Sequence, residues 1–174
     1  MAEMLATCKT ELGYIAFVHA GAQLVRLSFG HPNEAAAVLA INGIGLTVSS
    51  APFAERLCKN LVRFADGETV DFQSVSVDLS HLTPFGQRVI AACRAIPQGE
   101  VRTYGQLAVE CGKPGAARAV GSVMAKNRTP LITPCHRVVP AGGKLGGFSA
   151  PQGVRMKERL LALEGANWKC AVAC

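Results

Sequence analysis

The apolar residues of this chain change period near residue 80, and that switch constrains the fold more than any other feature. Before it they mostly alternate, as on strands; after it they recur every three or four positions, as on helices. Leu12–His19 and Leu24–Phe29 are rich in β-formers and flank Ala20-Gly21-Ala22-Gln23, which predicts a hairpin. Val70, Phe72, Val75, Val77 and Leu79 alternate as strand residues do, with a slip of phase at Gln73-Ser74 that predicts a bulge or turn. Two helices interrupt this half. One is the Ala-rich stretch Glu34–Ile41; the other opens at Pro52 and carries Phe53, Leu57, Leu61 and Phe64 on one side. Beyond the switch, Thr83-Pro84 supplies an N-cap and a first-turn proline. Phe85, Val89, Cys93 and Ile96 then form an amphipathic stripe that ends at Pro97-Gln98-Gly99. The expected class is α/β in the α+β sense, with an N-terminal α/β domain over 1–82 and a mainly helical domain over 83–174. A chain of 174 residues has the length of about one average domain or two small ones.

Charge divides at nearly the same place. Residues 1–80 hold five Lys/Arg against eight Asp/Glu, a net −3; residues 81–174 hold thirteen against four, a net +9. A basic half next to an acidic one points to a polyanionic partner for the C-terminal part, with a solvated basic surface as the alternative. The longest apolar runs, such as Ala35–Ile41, fall far short of the ~18 residues of a membrane span, and the N-terminus lacks the basic and apolar regions of a secretory signal. Seven cysteines, at 8, 58, 93, 111, 135, 170 and 174, form an odd set with no Cys-x-x-Cys pair. That excludes a zinc ribbon or thioredoxin motif and fits free thiols in a reducing, intracellular compartment. Cys8, His19, His31 and His81 match no zinc spacing, so no metal site is expected.

A helix-turn-helix follows. Thr103-x-x-Gln106 is a capping box; the helix it opens runs to about Cys111, with Gly112 beyond its end and Lys113-Pro114-Gly115 as the turn. The second helix spans roughly 116–126. Its inner face is Ala116, Ala117, Ala119, Val120, Val123 and Met124; its outer face is Arg118, Gly121, Ser122 and Ala125. Small residues on an outer face allow close approach to another surface. One projecting arginine among them suits a helix that reads DNA, and helix–helix packing is the alternative.

Chemistry is concentrated further on, in Pro134-Cys135-His136-Arg137-Val138. An adjacent Cys-His pair is common in ordinary cores. Here, however, imidazole could activate the thiol, and the closing helix offers a group to orient the imidazole. Met156, Leu160 and Leu163 form the apolar stripe of that helix, and Glu164 lies one turn beyond Leu160. A carboxylate on a buried face needs a partner, and His136 is the only histidine of the C-terminal domain. Between them lies Gly142-Gly143-Lys144-Leu145-Gly146-Gly147-Phe148-Ser149, a segment whose glycines would let backbone amides approach a ligand beside an aromatic wall.

The Pro-Cys-His-Arg-Val motif resembles the active-site motif of the O6-alkylguanine-DNA alkyltransferases, the methylated-DNA–protein-cysteine methyltransferases. The resemblance extends in order from about Thr83 to Gly165, through Thr103-Tyr104, Ala116-Ala117-Arg118-Ala119-Val120-Gly121, Asn127, Gly147-Phe148-Ser149 and Leu160-Leu161-Ala162-Leu163-Glu164-Gly165. It implies an N-terminal ribonuclease-H-like α/β roll without chemistry and a winged-helix-like DNA-binding domain. It implies a suicide repair reaction. The recognition helix enters the minor groove of double-stranded DNA carrying O6-alkylguanine. Arg118 fills the hole left by the flipped nucleotide, and Thr103, Gly121, Ser122 and Ala125 line the DNA surface. Cys135 takes the alkyl group once and is not regenerated. Glu164 and His136, through a water, take the thiol proton, and Tyr104 serves the departing guanine. Backbone groups of Cys135 and Val138 read the base edge, with the Ser149 amide facing O6. Phe148 and Lys157 line the pocket, and Asn127 holds the active-site turn.

The same resemblance implies no cofactor, a monomer and a cytoplasmic location, nucleoid-associated in a prokaryote or nuclear in a eukaryote. O4-alkylthymine is a second expected substrate. Phe148 stands where several members have Tyr, and 150–156 is slightly longer than in some members, so pocket size and preferred alkyl group are where this chain would differ. Two other readings stand beside this one. One is a non-enzymatic alkyltransferase-like lesion-binding protein, which Cys135 argues against. The other is a multiple-turnover Cys-His-Glu amide hydrolase.

Overall fold

The structure is a computed structural model, and it describes residues 1–168. The expectations for the Cys170 and Cys174 tail lie outside the described residues. The chain forms two compact units: 1–78 with 128–130, and 79–127 with 131 onward.

The first unit is built on a five-stranded sheet of order β4-β1-β2-β3-β5. β1 (Glu3–Thr10), β2 (Gly13–Ala20) and β3 (Gln23–His31) form an antiparallel meander. β4 (Thr47–Val48) adds parallel to β1, and β5 (Ser76–Val77) adds parallel to β3. Side chains alternate across this sheet, so each face has its own helix. Leu5, Ala16 and Val18 pack with Ala37 and Ile41 of or beside α1 (Glu34–Ala40). On the opposite face, the His19 ring bridges Phe17 and Phe53 of α2 (Pro52–Ala65), with ring centroids 6.3 and 5.3 Å apart. The Leu27 amide donates to the Arg128 carbonyl at 2.8 Å.

The hairpin and both helices form where the pattern places them. β1 was not expected. Met4-Leu5-Ala6 breaks the alternation, and the strand exists because eight consecutive residues find partners on β2. The strand expected at Val70–Phe72 does not form: the Asp71 carboxylate accepts from the Gln73 amide at 2.7 Å and closes a turn there. Phe72 is buried all the same, its ring edge-on to Phe64 at 5.9 Å.

In the second unit, α3 (Pro84–Arg94) is capped by the Thr83 hydroxyl. The unit begins at Leu79 rather than near 83, because Leu79 and Leu82 pack on its core. α4 (Tyr104–Glu110) carries the complete capping box: Thr103 Oγ1 accepts from the Gln106 amide at 3.0 Å, and Gln106 Oε1 accepts from the Thr103 amide at 2.7 Å. Gly112 takes φ +72° just past the helix end, where an L side chain would be strained. α5 (Ala117–Ala125) packs on α4 and α3 through Val120 and Met124. β6 (Arg102–Thr103) pairs parallel with β7 (Val138–Val139), and α6 (Val154–Leu163) closes the unit. Ala119, placed on the inner face from sequence, is exposed beside Arg118, because the buried stripe of α5 runs through Val120 and Met124 and Ala119 lies about 100° round the helix from Val120. Among the described residues, no helix is long and apolar enough to cross a membrane.

Candidate active site

Cys135 opens a 3-10 turn, Cys135–Arg137, at the N-terminal edge of β7. Two supports hold this turn. The Cys135 amide donates to the Thr133 carbonyl at 2.8 Å, and Asn127 Nδ2 donates to the same carbonyl at 2.9 Å. Just before the turn, Leu131 is buried with φ +70°, a left-handed conformation that is costly for a branched side chain. The turn aims successive side chains apart. Cys135 is partly exposed, while His136 and Arg137 are buried and reach toward the end of α6.

At that end sits Glu164, its carboxylate fully enclosed. His136 Nε2 meets Glu164 Oε1 at 2.8 Å. Arg137 forks onto the same carboxylate, Nε to Oε2 at 2.9 Å and Nη2 to Oε1 at 2.8 Å, while its Nη1 donates to the Ile96 carbonyl at 2.6 Å. Burial alone would raise the Glu164 pKa; the hydrogen bonds from His136 and Arg137 and the Arg137 charge outweigh it and hold the group at about 2. Glu164 is therefore ionised and can only accept, which places the His136 proton on Nε2. Burial also lowers the His136 pKa, so the ring is neutral. Its Nδ1 is left as a buried lone pair with no hydrogen-bond partner among the described residues. A neutral imidazole with one nitrogen anchored to a carboxylate and the other free is the form that accepts a proton.

Around Cys135 the forces oppose one another. Burial pushes the thiol pKa up, while the Asn127 side chain, the Lys157 charge and the amides of Cys135 and His136 pull it down. Lys157, on α6, is itself buried. Desolvation pushes its pKa down to about 8, against the opposing influence of the neighbouring Cys135 and Cys93, and Nζ donates to the Val138 carbonyl at 2.7 Å. Burial and the neighbouring Cys135 and Cys93 raise the Tyr104 pKa, so its hydroxyl keeps its proton. Tyr104 is held between two glycines. A Cβ on Gly121 would stand 4.0 Å from its ring. A Cβ on Gly146 would stand 3.9 Å from its hydroxyl and would strike the Pro140 ring at 2.8 Å.

The structure thus brings Cys135, His136, Glu164, Tyr104, Asn127, Lys157 and Val138 together within the second unit. Phe148 is half-buried and Ser149 exposed on the glycine-rich loop. Arg118, Ser122 and Ala125 are exposed on α5; the Arg118 guanidinium makes no ion pair or hydrogen bond among the described residues, and Gly121 is half-covered by the Tyr104 ring. Thr103 spends its acceptor on the cap of α4 and keeps its hydroxyl proton for donation. Arg137 had no assigned role from sequence. The signal was present: a buried carboxylate has more lone pairs than one imidazole can fill, and an arginine lies next to the histidine. Two of the histidines considered for a metal are spent otherwise. His19 bonds the Gly21 carbonyl and Ser49, and His31 bonds Ser28, all at 2.7 Å. No cluster of three or more potential ligands occurs among the described residues.

Comparison with known proteins meets this geometry. Residues 84–166 match the family model described as 6-O-methylguanine DNA methyltransferase, DNA binding domain. A methylated-DNA–protein-cysteine methyltransferase of Mycobacterium leprae is 42% identical over 121 residues, 70% of each chain. One of Methanothermobacter thermautotrophicus is 36% identical over 120 residues, 68% of this chain and 66% of that one. The structure of Mycobacterium tuberculosis OGT in complex with DNA superposes with a TM-score of 0.76 at 32% identity, covering 97% of this chain and 98% of that one. The O6-methylguanine-DNA methyltransferase of the archaeon Pyrococcus kodakaraensis gives 0.72 at 25% identity, covering 94% of this chain and all of that one. On its sequence and on its fold, this chain belongs to the methylated-DNA–protein-cysteine methyltransferase family.

Proposed function

We propose that the protein repairs DNA by moving the alkyl group of O6-alkylguanine onto the Cys135 sulfur, once per molecule. The observation that carries this is the residue next to Cys135: the neutral His136, anchored by the ionised Glu164 and left with a free Nδ1. The thiol proton passes to His136 Nδ1, directly or through one water. The imidazolium that forms is held by Glu164, whose charge Arg137 keeps in place. The thiolate displaces the alkyl carbon from O6: the S–C bond forms, the C–O bond breaks, and the electron pair stays on guanine. Tyr104, protonated and beside Cys135, donates to the leaving base. Lys157 steadies the thiolate electrostatically and ties down the Val138 carbonyl at the pocket edge. The base must leave the helix stack to reach this site. The exposed Arg118 on α5, among Ala119, Ser122 and Ala125, is the group to fill the gap it leaves. Asn127 acts as a positioning residue for the turn; Phe148 and the Ser149 amide border the base from the glycine-rich loop.

The DNA itself donates the group, so the reaction uses no cofactor, and O4-alkylthymine presents similar chemistry. As part of the same proposal, the protein acts as a monomer where the chromosomal DNA is, in the cytoplasm of a prokaryote or the nucleus of a eukaryote. The deciding experiment mixes the protein with a duplex oligonucleotide carrying O6-methylguanine and maps the products by mass spectrometry. One methyl group per chain, on Cys135, is expected. Catalytic turnover, or repair without S-methylation, would overturn the proposal.

A further inference from the structure

Two cysteines of the first unit have no part in this chemistry, and they are in contact. Thr7 on β1 donates its hydroxyl to Glu34 on α1. Alternation along the strand therefore turns Cys8 to the other face, toward α2, which packs on β1. Cys58 lies on α2, and its thiol donates to the Thr7 carbonyl at 3.7 Å, one residue from Cys8. The two thiols are therefore neighbours, and each shifts the titration of the other. Both are only partly covered, whereas Cys93 and Cys111 are buried. A close pair of thiols, both reachable from solvent, is the arrangement that oxidises readily.

We propose that Cys8 and Cys58 form a dithiol site, separate from the alkyl-transfer site, which a hydroperoxide closes to a disulfide joining β1 to α2. The contact with Cys8 lowers the Cys58 pKa against the opposing effect of burial, and raises that of Cys8. Cys58 is accordingly the attacking sulfur. Its thiolate takes the terminal oxygen of the hydroperoxide; the O–O bond breaks, and the departing alkoxide picks up the proton that Cys58 released. Cys8 then attacks the Cys58 sulfenic acid. The S–S bond forms, the S–O bond breaks, and hydroxide leaves as water with the Cys8 proton. Two electrons from the two sulfurs reduce one hydroperoxide to an alcohol and water. The bridge closes a long loop, which restricts the unfolded chain and raises the melting temperature.

The test uses the full chain treated with tert-butyl hydroperoxide, blocked with iodoacetamide and digested without reductant. A peptide pair linking Cys8 to Cys58, released by dithiothreitol, is expected. In Cys8→Ser the reaction should stop at a Cys58 sulfenic acid that dimedone traps, and in Cys58→Ser Cys8 should stay reduced. The proposal is overturned if both thiols remain reduced in the wild type under a dose that oxidises Cys135. It is equally overturned if Cys58 pairs with a different cysteine. The wild-type map decides the matter even if a variant fails to fold, and neither outcome bears on alkyl transfer.

Discussion

Glu164 is the residue on which stability and reactivity meet. Its pKa is held at about 2 against an ordinary 4.5, and a carboxylate depressed in this way stabilises the fold above its unfolded pKa. That contribution is lost as pH falls from about 4.5 through 2, and it amounts to the order of 3 kcal/mol by linkage. His136 acts in the same pH direction. Its pKa is lowered in the folded state by burial, so the unfolded chain binds the extra proton first, and stability declines once pH drops below about 6.5. Glu164→Gln should therefore melt lower than wild type at pH 7, with the gap narrowing toward pH 3. Melting curves across that range check it, and a constant gap would show that the charge of Glu164 does not matter. Lys157 gives a kinetic counterpart. Removing its charge in Lys157→Met should raise the Cys135 pKa and shift the pH–rate profile of methyl transfer to higher pH. Stopped-flow transfer rates at several pH values would show the shift or its absence.

Helices α4 and α5 make their own demands. Thr103→Ala removes one half of the capping box and should cost about 1 kcal/mol, read by urea denaturation. Because α4 holds Tyr104 at its first position, the same change should also slow transfer. Arg118→Ala belongs to a different class. The side chain is exposed and makes no ion pair or hydrogen bond among the described residues, so stability should hold within ~0.5 kcal/mol. Transfer from duplex DNA should fall well below transfer from single strands, where little unstacking energy is needed. Equal losses on both substrates would reduce Arg118 to a phosphate contact.

At the scale of the whole molecule, the acidic first 80 residues and the basic remainder predict an electrostatic footing for DNA binding. Affinity should fall steeply as salt rises, and replacing one phosphate-contacting Lys or Arg should flatten the log–log slope by about one unit. Fluorescence anisotropy with an unmodified duplex between low and physiological salt measures both. A slope indifferent to these substitutions would place the DNA elsewhere.

Local chemistry alone determined much of this protein. The capping box, the glycine after α4, the proline-opened helices and the β2–β3 hairpin are short-range matters, each settled within a few residues, and each is legible in sequence. The His136–Glu164 pair was legible too, because a carboxylate on a buried helix face must find a partner and one histidine was at hand. Tertiary structure decided what depends on residues far apart. β1 exists only because β2 pairs with it, and Val70–Phe72 stays out of the sheet although Phe72 joins the core. The Arg137 fork on Glu164 spans 27 residues, and the Cys8–Cys58 contact joins a strand to a helix from another part of the chain. The protonation of His136 is the clearest case. Its motif is local, yet its neutral state and free Nδ1 follow from burial and from a carboxylate 28 residues away, and no pattern within the motif encodes either.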